Sequence, residues 1–453
     1  MTKETENHSF RKDTSWFVSE VNSRKRVLPV FAHAASMITE RADKDLTKFI
    51  EAHSDEKEYD ESGILTRYTV PEGLSGRHSF LKRAFDDFSI FAVTLPRMTL
   101  VSVVSLFDAY LSRILKNVYM VRPEILNSSN KQLTFSEIVK FGSIEDAKNS
   151  IIEKEIETLL RDSHISQFAW LEKNLDVKLT DLAAWKCFIE LTERRNLLVH
   201  ADGMVSAHYI ETCRKHGIEL AEGTNLGDQL DVSDEYYKKA CNCVAEIGVK
   251  LSQVLWRKLI PKELEEAEDS FIEVTYGLLL SKEYELAEQL LEITKVKGFK
   301  KLNAESGLYM TVNLAICLKG QEKNDQCLKL LSSIDFSALS AKFKLANYVL
   351  REEYDAAEKV MRQIGDSEEL TEVNYREWPL FRWFRKTDQF KSAFKDIFGD
   401  EYVIIEDRTP HESGTEPDDV SPEKHLPSSP NASKNHTEPP CATGEPDPES
   451  PLN

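Results

Sequence analysis

The stretch LVSVVSLFDAYLSRILK, Leu100 to Lys116, places Leu100, Val103, Val104, Phe107, Leu111, Ile114 and Leu115 at intervals of three and four. That spacing draws one apolar stripe down an α-helix, whose period is about 3.6 residues. On its N-terminal side, Arg77–Phe91 reads as a second helical stretch. Pro96 lies between them and predicts a break or kink, because proline removes a helical hydrogen bond and its ring clashes with the preceding turn. Further helices are expected over 14–25, 30–52, 135–141, 144–161, 180–200, 204–216, 233–258 and 263–280. Tyr59–Gly76 and Gly217–Val232 read as polar loops, with glycines at 63, 73, 76, 217, 223 and 227. Strand-like alternation is scarce. The expected fold class is all-α: an N-terminal helical extension over 1–76, then a helical bundle over 77–260.

From Pro261 the pattern changes. YELAEQLL (Tyr284–Leu291), NDQCLKLL (Asn324–Leu331) and YDAAEKVM (Tyr354–Met361) share one layout. Each puts a small residue (Ala287, Cys327, Ala357) in the first turn and a large apolar pair three and four residues later. A small residue lets a partner helix approach closely, so each segment reads as the second half of a helical hairpin. The small residues are 40 and 30 positions apart. This resembles the tetratricopeptide repeat, whose period is about 34, although the signature Trp and Gly are missing. A TPR-like module over 261–403 is therefore expected, able to hold a protein partner. After it, WPLFRWFR (Trp378–Arg385) is aromatic and basic. It could stack on RNA or cap the open apolar end of the helical stack.

Lys and Arg total 58 against 77 Asp and Glu, a net charge of −19. That excludes a polyanion binder working through a broad basic face, so any nucleic-acid contact must be local. Glu406–Asn453 holds ten of the sixteen prolines, no aromatic residue and a net charge of −8. It cannot bury enough surface to offset chain ordering, and 404–453 reads as a disordered acidic tail. The seven cysteines include no CxxC pair. No metal site and no cofactor are expected, and a reducing cytoplasmic compartment fits. The N-terminus lacks a signal peptide's apolar core. The most apolar run, Phe88–Phe107, is interrupted by Pro96 and Arg97, so no membrane span is expected.

The segment with chemistry in it is WKCFIELTERRNLLVHADGMVSAHY, Trp185 to Tyr209. Trp185, Phe188, Ile189, Thr192, Asn196 and Val199 define an inward stripe. Arg194, Arg195 and Asn196 fall late on this helix, where cations suit the negative end of the dipole. Asp202-Gly203 supplies a stop. Arg195 and His200 are five residues apart, which on a continuing helix separates them by roughly 140°. They share a face only if the helix ends near Val199, or if a two-fold axis brings a second copy. Elsewhere, His33 among Phe31, Ala32 and Ala34 reads as a packed core histidine. His78 and His164 have no nearby partner in sequence, and His208 reads as exposed helix surface.

Arg195-Asn-Leu-Leu-Val-His200, on a helix of an all-α domain and followed by Asp202-Gly203, resembles the motif of the HEPN superfamily, and the similarity extends loosely over 80–258. The resemblance implies a metal-independent endoribonuclease, usually a homodimer with two motifs facing across a cleft. Carried over, His200 is the catalytic histidine, Arg195 the catalytic arginine and Asn196 the polar residue orienting them. Arg194, Asp202, Gly203 and Tyr209 would support them.

The chemistry is coherent. RNA supplies its own nucleophile, the 2′-hydroxyl. An imidazole, with an ordinary pKa of about 6.5, suits general acid–base work. A guanidinium grips two phosphate oxygens and stays charged. The product would be a 2′,3′-cyclic phosphate. By analogy with the family, fusion to a TPR-like module implies a regulated toxin, of the kind found in phage defence or toxin–antitoxin pairs. A second possibility is a catalytically inactive scaffold, dimerising through the HEPN-like part and holding a protein through the hairpins. Under a third, Arg194 and Arg195 merely pair with Glu190 or Glu193, and His200 is a helix-stop residue.

Overall fold

A computed structural model describes residues 9–60, 65–128, 133–221, 223–295 and 303–403. The segment expected to be a disordered tail lies outside them. The described chain is all-α apart from one short hairpin. Residues up to Tyr402 form one compact unit.

Two long helices set the frame. The first, α1 (Phe10–His53), is followed by strands β1 (Glu56–Tyr59) and β2 (Leu65–Thr69), then by α2 (Ser75–Val121). α1 and α2 run antiparallel, and the hairpin turns the chain at their far end. The separate helices expected at 14–25 and 30–52 are one helix, with Pro29 inside it. Those expected on either side of Pro96 are likewise one, so the predicted break does not occur. The turns around Pro96 are held by side-chain caps, Thr94 donating to the Ile90 carbonyl at 2.7 Å and Thr99 to that of Leu95 at 2.8 Å, and by the neighbouring helix. The loop expected at 59–76 contains β2, and β1 ends at its first residue. Their antiparallel pairing sets Glu56 opposite Thr69 and Lys57 opposite Tyr68, strands too short and polar to leave a periodic signal.

Short helices follow: α3 (Phe135–Lys140), α4 (Ile144–Leu160), α5 (His164–Leu175), α6 (Ala184–His200) and α7 (Ala207–Lys215). Several begin on a serine whose hydroxyl accepts a backbone N–H that has no helical partner. Ser163 caps α5 and Ser206 caps α7 in this way. α8 (Asp234–Leu259) runs through the centre against α1, α2 and α6. Gly248 is the close-approach point: a Cβ there would sit 2.3 Å from the Phe17 ring. Phe17 itself stacks on Tyr110 with centroids 4.0 Å apart. Both are fully buried, and burial of each such ring is worth about 1.5–3 kcal/mol.

Three hairpins complete the unit: α9 (Leu264–Leu280) with α10 (Tyr284–Leu291), α11 (Ala304–Gly320) with α12 (Asn324–Ser332), and α13 (Ala341–Leu350) with α14 (Tyr354–Ile364). Ala287, Cys327 and Ala357 are buried on the second helices, and the Cys327 thiol lies 3.5 Å from the Ala315 carbonyl of the partner helix. α15 (Glu372–Glu377) and α16 (Asp388–Phe398) close the stack. Between them Trp378, Leu380, Phe381 and Phe384 are buried and Trp383 is half-buried, so most of this aromatic segment caps the apolar end of the stack.

Candidate functional site

α6 enters the core on Trp185, Phe188, Ile189, Leu191 and Thr192, all buried. Its last turn then leaves the main core. Asn196 is half-buried and Val199 is 48% exposed, so neither continues the expected inward stripe. Leu197 turns inward instead, into a small second cluster with Val205, Tyr209 and Cys213. That cluster belongs to α7, which captures the end of α6 and rotates the buried face.

The helix continues through His200, one residue past the point at which Arg195 and His200 would share a face. Their side chains therefore diverge. His200 is exposed on the terminal turn. Asp202 beyond it takes a left-handed backbone, φ 50°, and Gly203 follows with φ 78°. A Cβ at Gly203 would lie 3.1 Å from the Leu230 carbonyl, so the turn needs glycine for space as well as conformation. Asp202 is 84% exposed and 3.5 Å from Arg97, which also bonds Asp231 at 2.6 Å. These carboxylates make the surroundings of the α6 terminus acidic.

Arg195 points the other way, toward α2. Its Nη2 donates to Asp108 Oδ2 at 3.1 Å. The second oxygen of Asp108 is hydrogen-bonded to His164 Nε2 at 2.8 Å. His164, the first residue of α5, is 8% exposed at its side chain, Asp108 30% and Arg195 22%. The imidazole is wedged edge-on against Phe188, centroids 5.4 Å apart. One carboxylate thus holds a buried imidazole and a half-buried guanidinium. The Nε of Arg195 is buried with no hydrogen-bond partner among the described residues.

Arg194 belongs to a separate network. Its Nε donates to Glu190 Oε1 at 2.8 Å, and its guanidinium lies 3.9 Å over the Tyr236 ring. Glu190 also accepts the hydroxyls of Tyr209 and Tyr236, each at 2.7 Å. Burial, reinforced by the Glu190 charge, drives both phenol pKa values far above the ordinary range, so both remain donors. Arg194 and Tyr209 tie α6, α7 and α8 together here. His208 is 78% exposed and 3.7 Å from Glu193.

Of the residues singled out in sequence, the structure places Arg195, Asn196 and His200 on one helix, without bringing Arg195 to His200. Asp108 escapes a reading of the sequence, and His164 reads there as having no nearby partner, because they lie 87 and 31 positions from Arg195. A signal for Asp108 existed: it is a charge on the inward side of the stripe from Val104 to Leu115. His33, expected in the core, is exposed on α1, because the helix around it has only one packed face. His78 has a partner in the Tyr68 hydroxyl at 2.8 Å. Among the described residues no cluster of His, Cys, Asp or Glu could hold a metal ion. No family model matches the chain, and no curated protein or solved structure matches it either.

Proposed function

We propose that this protein is a metal-independent endoribonuclease that cleaves single-stranded RNA, acting as a regulated toxin or phage-defence effector. The observation behind this reading is that one helix end carries both an exposed imidazole, His200, and, on another face, a guanidinium held by a carboxylate, Arg195 on Asp108. Arg195 is oriented by Asp108, while its Nη1 has no partner among the described residues and can take a phosphate oxygen. His200, free at the helix terminus, can remove the 2′-hydroxyl proton or protonate the leaving 5′-oxygen. Because the two diverge around α6, a complete site takes Arg195 from one copy and His200 from another. Asn196 lies between them on the half-buried side and can fix the phosphate.

A second reading has its own observation. Arg195 is already neutralised by Asp108 and carries a buried Nε, as a structural arginine would. The protein would then be a helical scaffold, its hairpins holding a protein partner. Incubating the full-length protein with end-labelled single-stranded RNA in EDTA separates the two. The nuclease reading expects fragments ending in 2′,3′-cyclic phosphate, reduced about 10²-fold or more in His200→Ala and in Arg195→Ala. Absence of cleavage at micromolar protein, or cleavage indifferent to His200→Ala, overturns it.

A further inference from the structure

The outer part of the α1–α2 pair carries an apolar surface that none of the described residues covers. Asp13 lies beside Arg113, Arg24 beside Ser102 and Phe49 beside His78, which fixes an antiparallel register. In that register residues 27–39 run alongside 87–99. The first segment, VLPVFAHAASMIT, contains no charged residue, and neither does FSIFAVTLP, 88–96. The next residue, Arg97, is turned onto Asp202 and Asp231. α1 is thus free of charge around its whole circumference for thirteen residues, and α2 for the nine that run from Phe88 to Pro96. A helix apolar on every side is normally buried.

These side chains are not buried. On α1, Val27, Val30, Phe31, Met37 and Ile38 are between 44% and 60% exposed. On α2, Phe88, Ile90, Phe91, Val93 and Met98 are between 41% and 66% exposed. At about 100° per residue the five on α1 lie within about 120° of its circumference, one continuous stripe, whereas those on α2 are spread round that helix. The α1 set also has a period. Val27, Val30 and Phe31 recur seven residues on as Ala34, Met37 and Ile38, the heptad seam that a second helix packs into.

We propose that this band is the docking site for a second copy of the same chain, the two arms lying antiparallel as a four-helix bundle. Three observations favour that occupant. The seam asks for a helix, and the arm is one. Reversal about the middle of the band sets Phe31 of one copy over Ala34 of the other, large against small, and Val27 against Ile38, apolar against apolar. The flanks are complementary too. Exposed Arg26 bounds the band on the body side and Glu40 on the tip side, with Asp87 on α2 close by. Antiparallel pairing brings Arg26 of each copy to Glu40 of the other.

A lipid bilayer fits less well, although α2 is long and apolar enough to cross one by length and composition. The half of that helix from Leu100 to Tyr119 is packed into the core. The uncharged band of thirteen residues measures about 20 Å at 1.5 Å per residue, against a hydrocarbon thickness of about 30 Å. Beyond the band the tip carries Glu40, Arg41, Asp43, Lys44 and Asp45. This proposal rests on the arm alone; the nuclease reading also needs two copies but not this interface, so a dimer indifferent to the arm overturns the proposal and leaves that reading standing.

Analytical ultracentrifugation of the full-length protein tests it. The wild type should sediment at twice 51.8 kDa. Phe31→Glu with Ile38→Glu should raise the dimer dissociation constant at least about 30-fold, with circular dichroism and melting temperature unchanged, since both positions are already exposed in one chain. Arg26→Glu should weaken the dimer, and adding Glu40→Arg to the same chain should restore it. A monomeric wild type at tens of micromolar, or a dimer indifferent to the Phe31/Ile38 change, overturns the proposal. So does a monomer that co-sediments with phosphatidylcholine–phosphatidylglycerol vesicles through the same residues.

Discussion

Asp108 accepts from both His164 and Arg195, so removing it strands two groups, whereas removing Arg195 strands one. Asp108→Ala should therefore cost more stability than Arg195→Ala, about 2–3 against 1–2 kcal/mol in urea unfolding. All three side chains are partly shielded, not sealed, so the coupling in a double-mutant cycle should be modest, about 0.5–2 kcal/mol. Equal costs for the two variants would mean that the carboxylate does not organise the site. The thiols carry a second prediction. Cys187 has its pKa lowered by a hydrogen bond from the Cys243 thiol, while burial pushes Cys241 and Cys317 up to about 12. The thiolate is the reactive form. With iodoacetamide near pH 8, Cys187 should be the first alkylated of the six cysteines in the described residues, at a rate that levels off below the pH at which an ordinary thiol would. Cys241 and Cys317 should react only when the chain unfolds, which mass spectrometry of the labelled peptides would report. None of this could be read from the chain order, because a buried network joins positions that sequence separates by many turns.

The three hairpins share a turn that the sequence does not advertise. Lys282, Glu322 and Glu352 each stand two residues before the second helix and have positive φ, between 60° and 62°. In each hairpin the following N–H returns to a carbonyl five residues back: Glu283 to Leu278, Lys323 to Leu318, and Glu353 to Tyr348. A left-handed turn normally selects glycine, and a side chain there costs roughly 1–2 kcal/mol. Glu322→Gly should stabilise the protein by about 0.5–1 kcal/mol after the larger entropy of an unfolded glycine is subtracted. An unchanged or lower unfolding midpoint would show that the Glu322 side chain compensates within the turn. The hairpins were legible because apolar spacing and a buried small residue belong to the second helix itself. Their turns were not, since charged residues occupy the position that glycine would have marked. Pro96 misled in the opposite sense: as a local signal it predicts a break, but α1 runs alongside and keeps the helix continuous.

At the scale of the whole molecule, the sequence divides at Pro261 by a change of pattern, and the packing does not follow that division. One apolar core runs from Phe10 to Phe394. Lys25 of α1 is almost buried, bonding Asn242 of α8 at 2.7 Å and pairing with Glu283, at the turn between α9 and α10. Arg11 donates to the Glu266 carbonyl at 3.2 Å, and Trp256 donates to Glu263 at 2.9 Å. Ala267 and Phe271 of α9 are fully buried within that core. Cutting the chain after Ile260 would remove α9, uncover the α1 and α8 side chains packed against it, and leave Trp256 and Lys25 without their carboxylates. The unit ending at Tyr402 should therefore unfold in a single calorimetric transition, with calorimetric and van't Hoff enthalpies in agreement. A fragment ending at Ile260 should lose its cooperative transition or melt at least about 10 °C lower, since several kcal/mol of burial disappear at once. Two resolved transitions in the intact chain, the earlier one matching residues 261–403 expressed alone, would mean that the hairpins fold as an independent module docked onto the bundle.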